Sequence, residues 1–150
     1  KKYDGVVYKR RVSTDFAQAM RFLTEGIPPE SGDYVARQVT AEMTHMIRRD
    51  GLIPRAAVFY DRRAFHGADD PELRLTLDGN IRYRLGDLDL RNGTDGDTIP
   101  GQPFRIMEIK SASSIPLWLA GTLSELGIHP GSFSKYGSVY KQRFQDLCTT

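Results

Sequence analysis

Apolar residues recur at helical spacing in two early stretches of the chain and alternate with polar ones in several later stretches. Phe16, Met20, Leu23 and Ile27 fall on one helical face. They predict a helix that Ser13 or Thr14 can cap, with Asp15 in its first turn and Gly26 at its exit. Pro28-Pro29 then breaks the chain. A second helix is expected after Ser31, with Val35, Val39, Met43, Met46 and Ile47 as its core stripe and Arg48, Arg49 and Gly51 at its end. Two-residue alternation predicts strands over 6–12, 56–65, 73–77, 81–85 and 104–110. Residues 87–101, rich in Asp, Gly and Asn, read as a loop or excursion. Short helices are expected over 116–126, closed by Gly127, and over 134–147, with Tyr136, Tyr140 and Phe144 on one side. Trp118 and these tyrosines read as core. The sum is an α+β fold, an antiparallel β-sheet flanked by helices.

The segment Leu73-Arg74-Leu75-Thr76-Leu77-Asp78-Gly79-Asn80-Ile81-Arg82-Tyr83-Arg84-Leu85 carries the most information. Read as a hairpin, a two-residue Asp78-Gly79 turn would mix polar and apolar residues on each face. A three-residue Asp78-Gly79-Asn80 loop, with Asn80 accepting positive φ, keeps every apolar residue on one face. That register sets Arg74 opposite Arg84 and Thr76 opposite Arg82. Like charges directly across a ladder cost a few tenths to roughly 1 kcal/mol. A fully solvated face tolerates this; so does a face that an anion fills. In the first strand Lys9 and Arg11 share a face, and in the last Glu108 and Lys110 share one, with Met107 and Ile109 opposite. Three strand segments thus present cations on one side and apolar residues on the other. Arginine forks match phosphate oxygens. The isolated Glu108 would let a hard divalent cation bridge to them.

These same residues carry a resemblance. Lys9-Arg10-Arg11, Tyr60-Asp61-Arg62-Arg63-Ala64-Phe65, Leu73-Arg74-Leu75-Thr76-Leu77-Asp78, Ile106-Met107-Glu108-Ile109-Lys110 and Ser132-Phe133-Ser134-Lys135-Tyr136-Gly137 come in the order seen in VTC (vacuolar transporter chaperone) domains. VTC domains are similar to the CYTH-like triphosphate tunnel metalloenzymes. The resemblance runs from Lys9 to about Tyr140. It implies half of an antiparallel β-tunnel, in which the γ-phosphate of ATP is transferred to a polyphosphate chain with Mn2+ or Mg2+. It implies phosphate binding by Lys9, Arg11, Arg74 and Arg84, with Lys110, Ser134 and Lys135 along the chain's path. It implies catalytic roles for Arg74, Arg84 and Glu108, with Glu108 as metal ligand. Spacing from Arg74 allows Arg82 or Arg84 here; the hairpin register selects Arg84. The earlier half of the family domain has no counterpart in these residues. Residues 1–150 are therefore expected to be the C-terminal portion of one such domain, completed by the missing half or by a second copy. The start, without an initiator methionine or signal pattern, agrees with that expectation.

Composition changes this picture little. The chain has 150 residues, 39% hydrophobic and 27% charged, which is the composition of a folded domain. A net charge of +2 identifies no partner, so only the placement of charge matters. Cys148 is the single cysteine, which points to a reducing, cytoplasmic setting. No apolar run approaches the ~20 residues of a membrane helix. No glycine-rich phosphate loop, dinucleotide fingerprint or nucleophile elbow occurs. His45, His66 and His129 lack metal-ligand spacing. Aromatic residues lie mainly opposite the basic face, which argues against nucleic acid. Two further readings use the same face: a non-catalytic polyphosphate or inositol-phosphate binding module, and a metal-dependent triphosphate hydrolase.

Overall fold

The computed structural model describes residues 2–4, 6–99, 101 and 105–148. It divides into two compact units, Lys1–Arg55 and Ala56–Thr150. The first holds two short paired strands, β1 (Lys2–Tyr3) and β2 (Val6–Val7), then helices α1 (Phe16–Glu25) and α2 (Tyr34–Asp50). The strand expected over 6–12 is reduced to β2. Its partner β1 is two residues long, and a strand extends only as far as its backbone groups find partners. Lys9 and Arg11 are therefore exposed on irregular chain and share no sheet face.

Both helices are capped by aspartates. Asp15, not Ser13 or Thr14, accepts the Gln18 N–H at 2.8 Å to start α1. Asp33 accepts the Val35 and Ala36 N–H groups to start α2. Gly26 and Gly51 close them at positive φ, 70° and 61°. The apolar stripe of α2 is only partly covered: Val39 and Thr40 are buried, while Val35, Met43 and Met46 are exposed.

The second unit is built on a four-stranded antiparallel sheet of β3 (Ala57–His66), β4 (Arg74–Arg84), β5 (Asp97–Thr98) and β6 (Ile106–Lys110). It is followed by α3 (Leu117–Glu125) and α4 (Lys135–Cys148). Phe104, the first residue of the strand expected over 104–110, lies outside the described residues. The expected hairpin over 73–85 is instead one continuous strand. β4 pairs β3 along one side; along the other it pairs β6 through Arg74–Asp78 and β5 at Arg82 and Tyr83. Asp78-Gly79-Asn80 is not a turn but a bulge. Between Phe59↔Arg82 and Asp61↔Gly79, β4 contains one residue more than β3. Asn80 sits there at φ 50°, the conformation a turn would also have required.

Because side chains alternate with period two, one inserted residue exchanges the faces of everything beyond it. Leu75 and Leu77 face one way. Ile81 and Tyr83 face the other, together with Val58 and Ile106. There Ile81, Tyr83 and Ile99 form the buried core with Val139 of α4. Among the described side chains of α4, Val139 and not the tyrosines is thus the buried contact; Tyr136 and Tyr140 are exposed, and so is Trp118. Phe144 lies among residues whose side chains are outside the description. If the bulge needs a residue that tolerates positive φ, Asn80→Val lowers stability by about 1–3 kcal/mol, while Asn80→Gly changes it by less than about 1 kcal/mol. Urea unfolding measures both.

Candidate functional site

The register assembles one polar face on the half of the sheet that precedes the bulge. Its rungs run across three strands: His66, Arg74 and Lys110; then Ala64, Thr76 and Glu108; then Arg62, Asp78 and Ile106. Tyr60 follows on β3. The first rung sets Arg74 directly opposite Lys110. Their side chains are 54% and 68% exposed, and Arg74 has only a 3.9 Å approach to Glu72. Glu108, 47% exposed, lies 3.2 Å from the Lys110 ammonium and 3.9 Å from the Arg62 guanidinium.

The third rung is held by a buried carboxylate. Asp78 is 1% exposed. Arg62 donates to it through Nε at 2.6 Å and Nη2 at 2.7 Å, and Lys135, from the first residue of α4, donates at 2.6 Å. Both cations also lie over the Tyr60 ring, Arg62 at 5.1 Å and Lys135 at 4.3 Å from its centre. The Arg62 hydrogen bonds, joined by those of Lys135, hold the Asp78 carboxyl down at about 2 against the opposing effect of burial. The same pairing pushes the Arg62 guanidinium further up.

Arg62, Arg74, Glu108, Lys110 and Lys135 are thus brought together. Of these, Arg62 is not a candidate from sequence, because its place beside the others depends on the β3–β4 register. Asp78 was assigned to a turn for the same reason. Ser134 caps α4, its hydroxyl oxygen accepting the Gly137 N–H at 3.1 Å. Lys9 and Arg11 belong to the other unit. Arg84 is not on this face, and the expected Arg74–Arg84 pairing does not exist: the bulge turns Arg84 to the reverse side. There it donates to the carbonyls of Asp87, Asp89 and Asn92 at 2.8–3.0 Å and stacks on Phe59 at 4.9 Å, pinning the 87–96 loop. Arg82, the alternative, is also on the reverse face and pairs with Asp61 at 3.1 Å.

The donor set defines what cation the face can hold. No cluster of three or more His, Cys, Asp or Glu side chains with metal-binding geometry occurs among the described residues. Asp78 is already engaged by Arg62 and Lys135, which leaves Glu108 as the accessible carboxylate on the strands of this face, with Glu72 beside Arg74 at its edge. One carboxylate does not make a protein cage, but it suits a magnesium-like ion that keeps waters and shares phosphate oxygens. No helix among the described residues is long and apolar enough to cross a membrane.

The family model of the VTC domain matches residues 1–144. No curated protein and no solved structure matches the chain at a significant level.

A carboxyl depressed in the folded state stabilises the fold above its unfolded value, ~3.9, and the contribution is lost as pH falls through the folded value. For Asp78, held at about 2, that amounts to about 2 kcal/mol. Urea unfolding of wild type and Asp78→Asn from pH 2 to 7 should show the two curves converging as pH falls from about 5 to 2. Parallel curves would refute the assignment.

Proposed function

The chain belongs to the VTC domain family, and from that premise we propose that this face grips the phosphates of ATP and polyphosphate and supports transfer of the γ-phosphate to the growing chain. Membership makes a polyphosphate-related function the general reading. The observation that carries the finer one is the Arg74–Lys110 rung, two exposed cations set side by side with only long, loose carboxylate approaches to Arg74. Such a pair disfavours the bare sheet by up to about 1 kcal/mol. A polyanion reverses the sign of that interaction by filling the space between the charges.

Phosphoryl transfer asks little covalent work of a protein; alignment and charge neutralisation dominate. In this reading a terminal oxygen of the polyphosphate attacks the γ-phosphorus of ATP. The new P–O bond extends the chain by one phosphate, and the bond to the β,γ-bridging oxygen breaks to release ADP. Arg74 and Lys110 hold non-bridging oxygens at the open end of the face. Arg62 and Lys135 hold those nearer the core. Glu108 would hold Mn2+ or Mg2+ together with phosphate oxygens. Such an ion, when bound, neutralises charge on those oxygens. Ser134 remains a proposed contact along the chain's path, and Lys9 and Arg11, in the other unit, are left out of this face. Arg84, committed to the 87–96 loop, takes no part.

Calorimetric titration with a medium-length polyphosphate tests the grip. Each charge-assisted contact is worth roughly 1.5–3 kcal/mol, so Arg74→Ala weakens binding at least about tenfold. Its thermal unfolding stays near that of wild type, because the side chain is exposed. No binding by the folded wild-type protein would make these cations a solvated surface. Product analysis with ATP and manganese separates the chemistries. A lengthened chain plus ADP supports the polymerase, orthophosphate the hydrolase, and no turnover with retained binding the non-catalytic module. Glu108→Gln should fold normally and lose the manganese dependence of turnover.

A further inference from the structure

We infer that Asp78 is a positioning residue: a built-in counter-anion that fixes Arg62 and Lys135 on the face with their remaining donors free for phosphate. This deepens the proposed grip on polyphosphate and rests on it. A guanidinium has five N–H groups and an ammonium three. Asp78 takes the Arg62 Nε–H and one Nη2–H, and one hydrogen of Lys135. That leaves both hydrogens on Nη1 and one on Nη2 of Arg62, and two on Lys135. Glu108, 3.9 Å from Nη2, is too far for a hydrogen bond.

The pinning comes from two directions. The carboxylate holds the inner edge of the guanidinium, and the Tyr60 ring lies beneath both cations. Long cationic side chains otherwise lose rotamer entropy when they clamp a ligand. Here much of that ordering precedes binding. Asp78 also lies too deep to meet the ligand itself, so its charge weakens long-range attraction while its hydrogen bonds sharpen short-range contact. These two effects have opposite signs and respond differently to salt, which makes the role separable from a merely structural one.

The experiment is calorimetric titration of polyphosphate into wild type and Asp78→Asn at several salt concentrations. Removing one negative charge makes the salt dependence of binding steeper, by close to one unit in the log–log slope. Losing the fixed geometry raises Kd at least about tenfold at 0.5 M salt, where screening suppresses the gain in attraction. At low salt the two proteins should bind within about threefold of each other. Tighter or equal binding by the variant at every salt concentration overturns the positioning role. So does the same proportional loss at every salt concentration with a collapsed melting transition, which marks a structural role only. If Asp78→Asn does not fold, wild type carries the test through arginine Nε–H NMR signals, that of Arg62 assigned by its loss in Arg62→Lys. Polyphosphate must leave this proton protected and unshifted, because it stays on Asp78; a shift on titration overturns the inference. A folded wild type that binds no polyphosphate instead removes the reading of the face on which the inference rests.

Discussion

The second unit depends on a single break in the period-two alternation of β4. Up to Gly79, the strand sends leucines to one face and Arg74, Thr76 and Asp78 to the other. After Asn80 the faces exchange, so Ile81 and Tyr83 join the side that carries Asp78. One side of the sheet therefore holds a buried apolar end, under Val139 of α4, and an open polar end. Without the extra residue the strand would have one apolar and one polar face along its length. The helix that buries the core could not then also deliver Lys135 to Asp78. The bulge is what places a covered core and a charged site side by side on one surface.

At the junction between these two ends sits Asp78. A carboxylate with almost no solvent exposure costs several kcal/mol to desolvate, and only short charge-assisted hydrogen bonds offset that cost. Arg62 and Lys135 supply them from β3 and from the start of α4. The pairing ties strand to helix, and it ends the apolar core with a charge pair facing the open end. Farther out the pairing loosens: Lys110 meets the exposed Glu108 at 3.2 Å, and Arg74 only approaches Glu72 at 3.9 Å. The face thus grades from internally neutralised charge to charge that an external anion can neutralise. That gradient is consistent with the polyphosphate-related function of the VTC family to which the chain belongs.

The helices were legible because their signals are local. Gly26, Gly51 and Gly127 act through φ values at their own positions, and the strand expected over 56–65, observed as Ala57–His66, follows from its own alternation. The cap expected at Ser13 or Thr14 falls one or two positions later, at Asp15, because a side-chain oxygen of any of these residue types can accept an N–H at a helix start. The burial of the helix stripes was not legible. Val35, Met43 and Trp118 are apolar by type, but whether anything covers them depends on elements distant in sequence. Arg84 illustrates the same limit. Its type and spacing suit a phosphate ligand, yet its position beyond the bulge commits it to three loop carbonyls.

Sequence alone determined the α+β class, the capped helices, the polarity of the strand around Arg74, and the family, because these rest on periodicity, short-range hydrogen bonding and the order of motifs. It also brought out Glu108, Lys110 and Lys135 as candidates. Tertiary structure decided whether Asp78-Gly79-Asn80 turns the chain or bulges it. Both outcomes ask for the same residue at positive φ, so the local energies barely differ. What differs is the partner. Continuing as one strand lets β4 pair β3 on one side and β5 and β6 on the other, and those hydrogen bonds come from residues up to 36 positions away (Arg74 to Lys110). The choice set every facing that followed: Arg74 beside Lys110 and not Arg84, and Asp78 beneath Arg62 and Lys135.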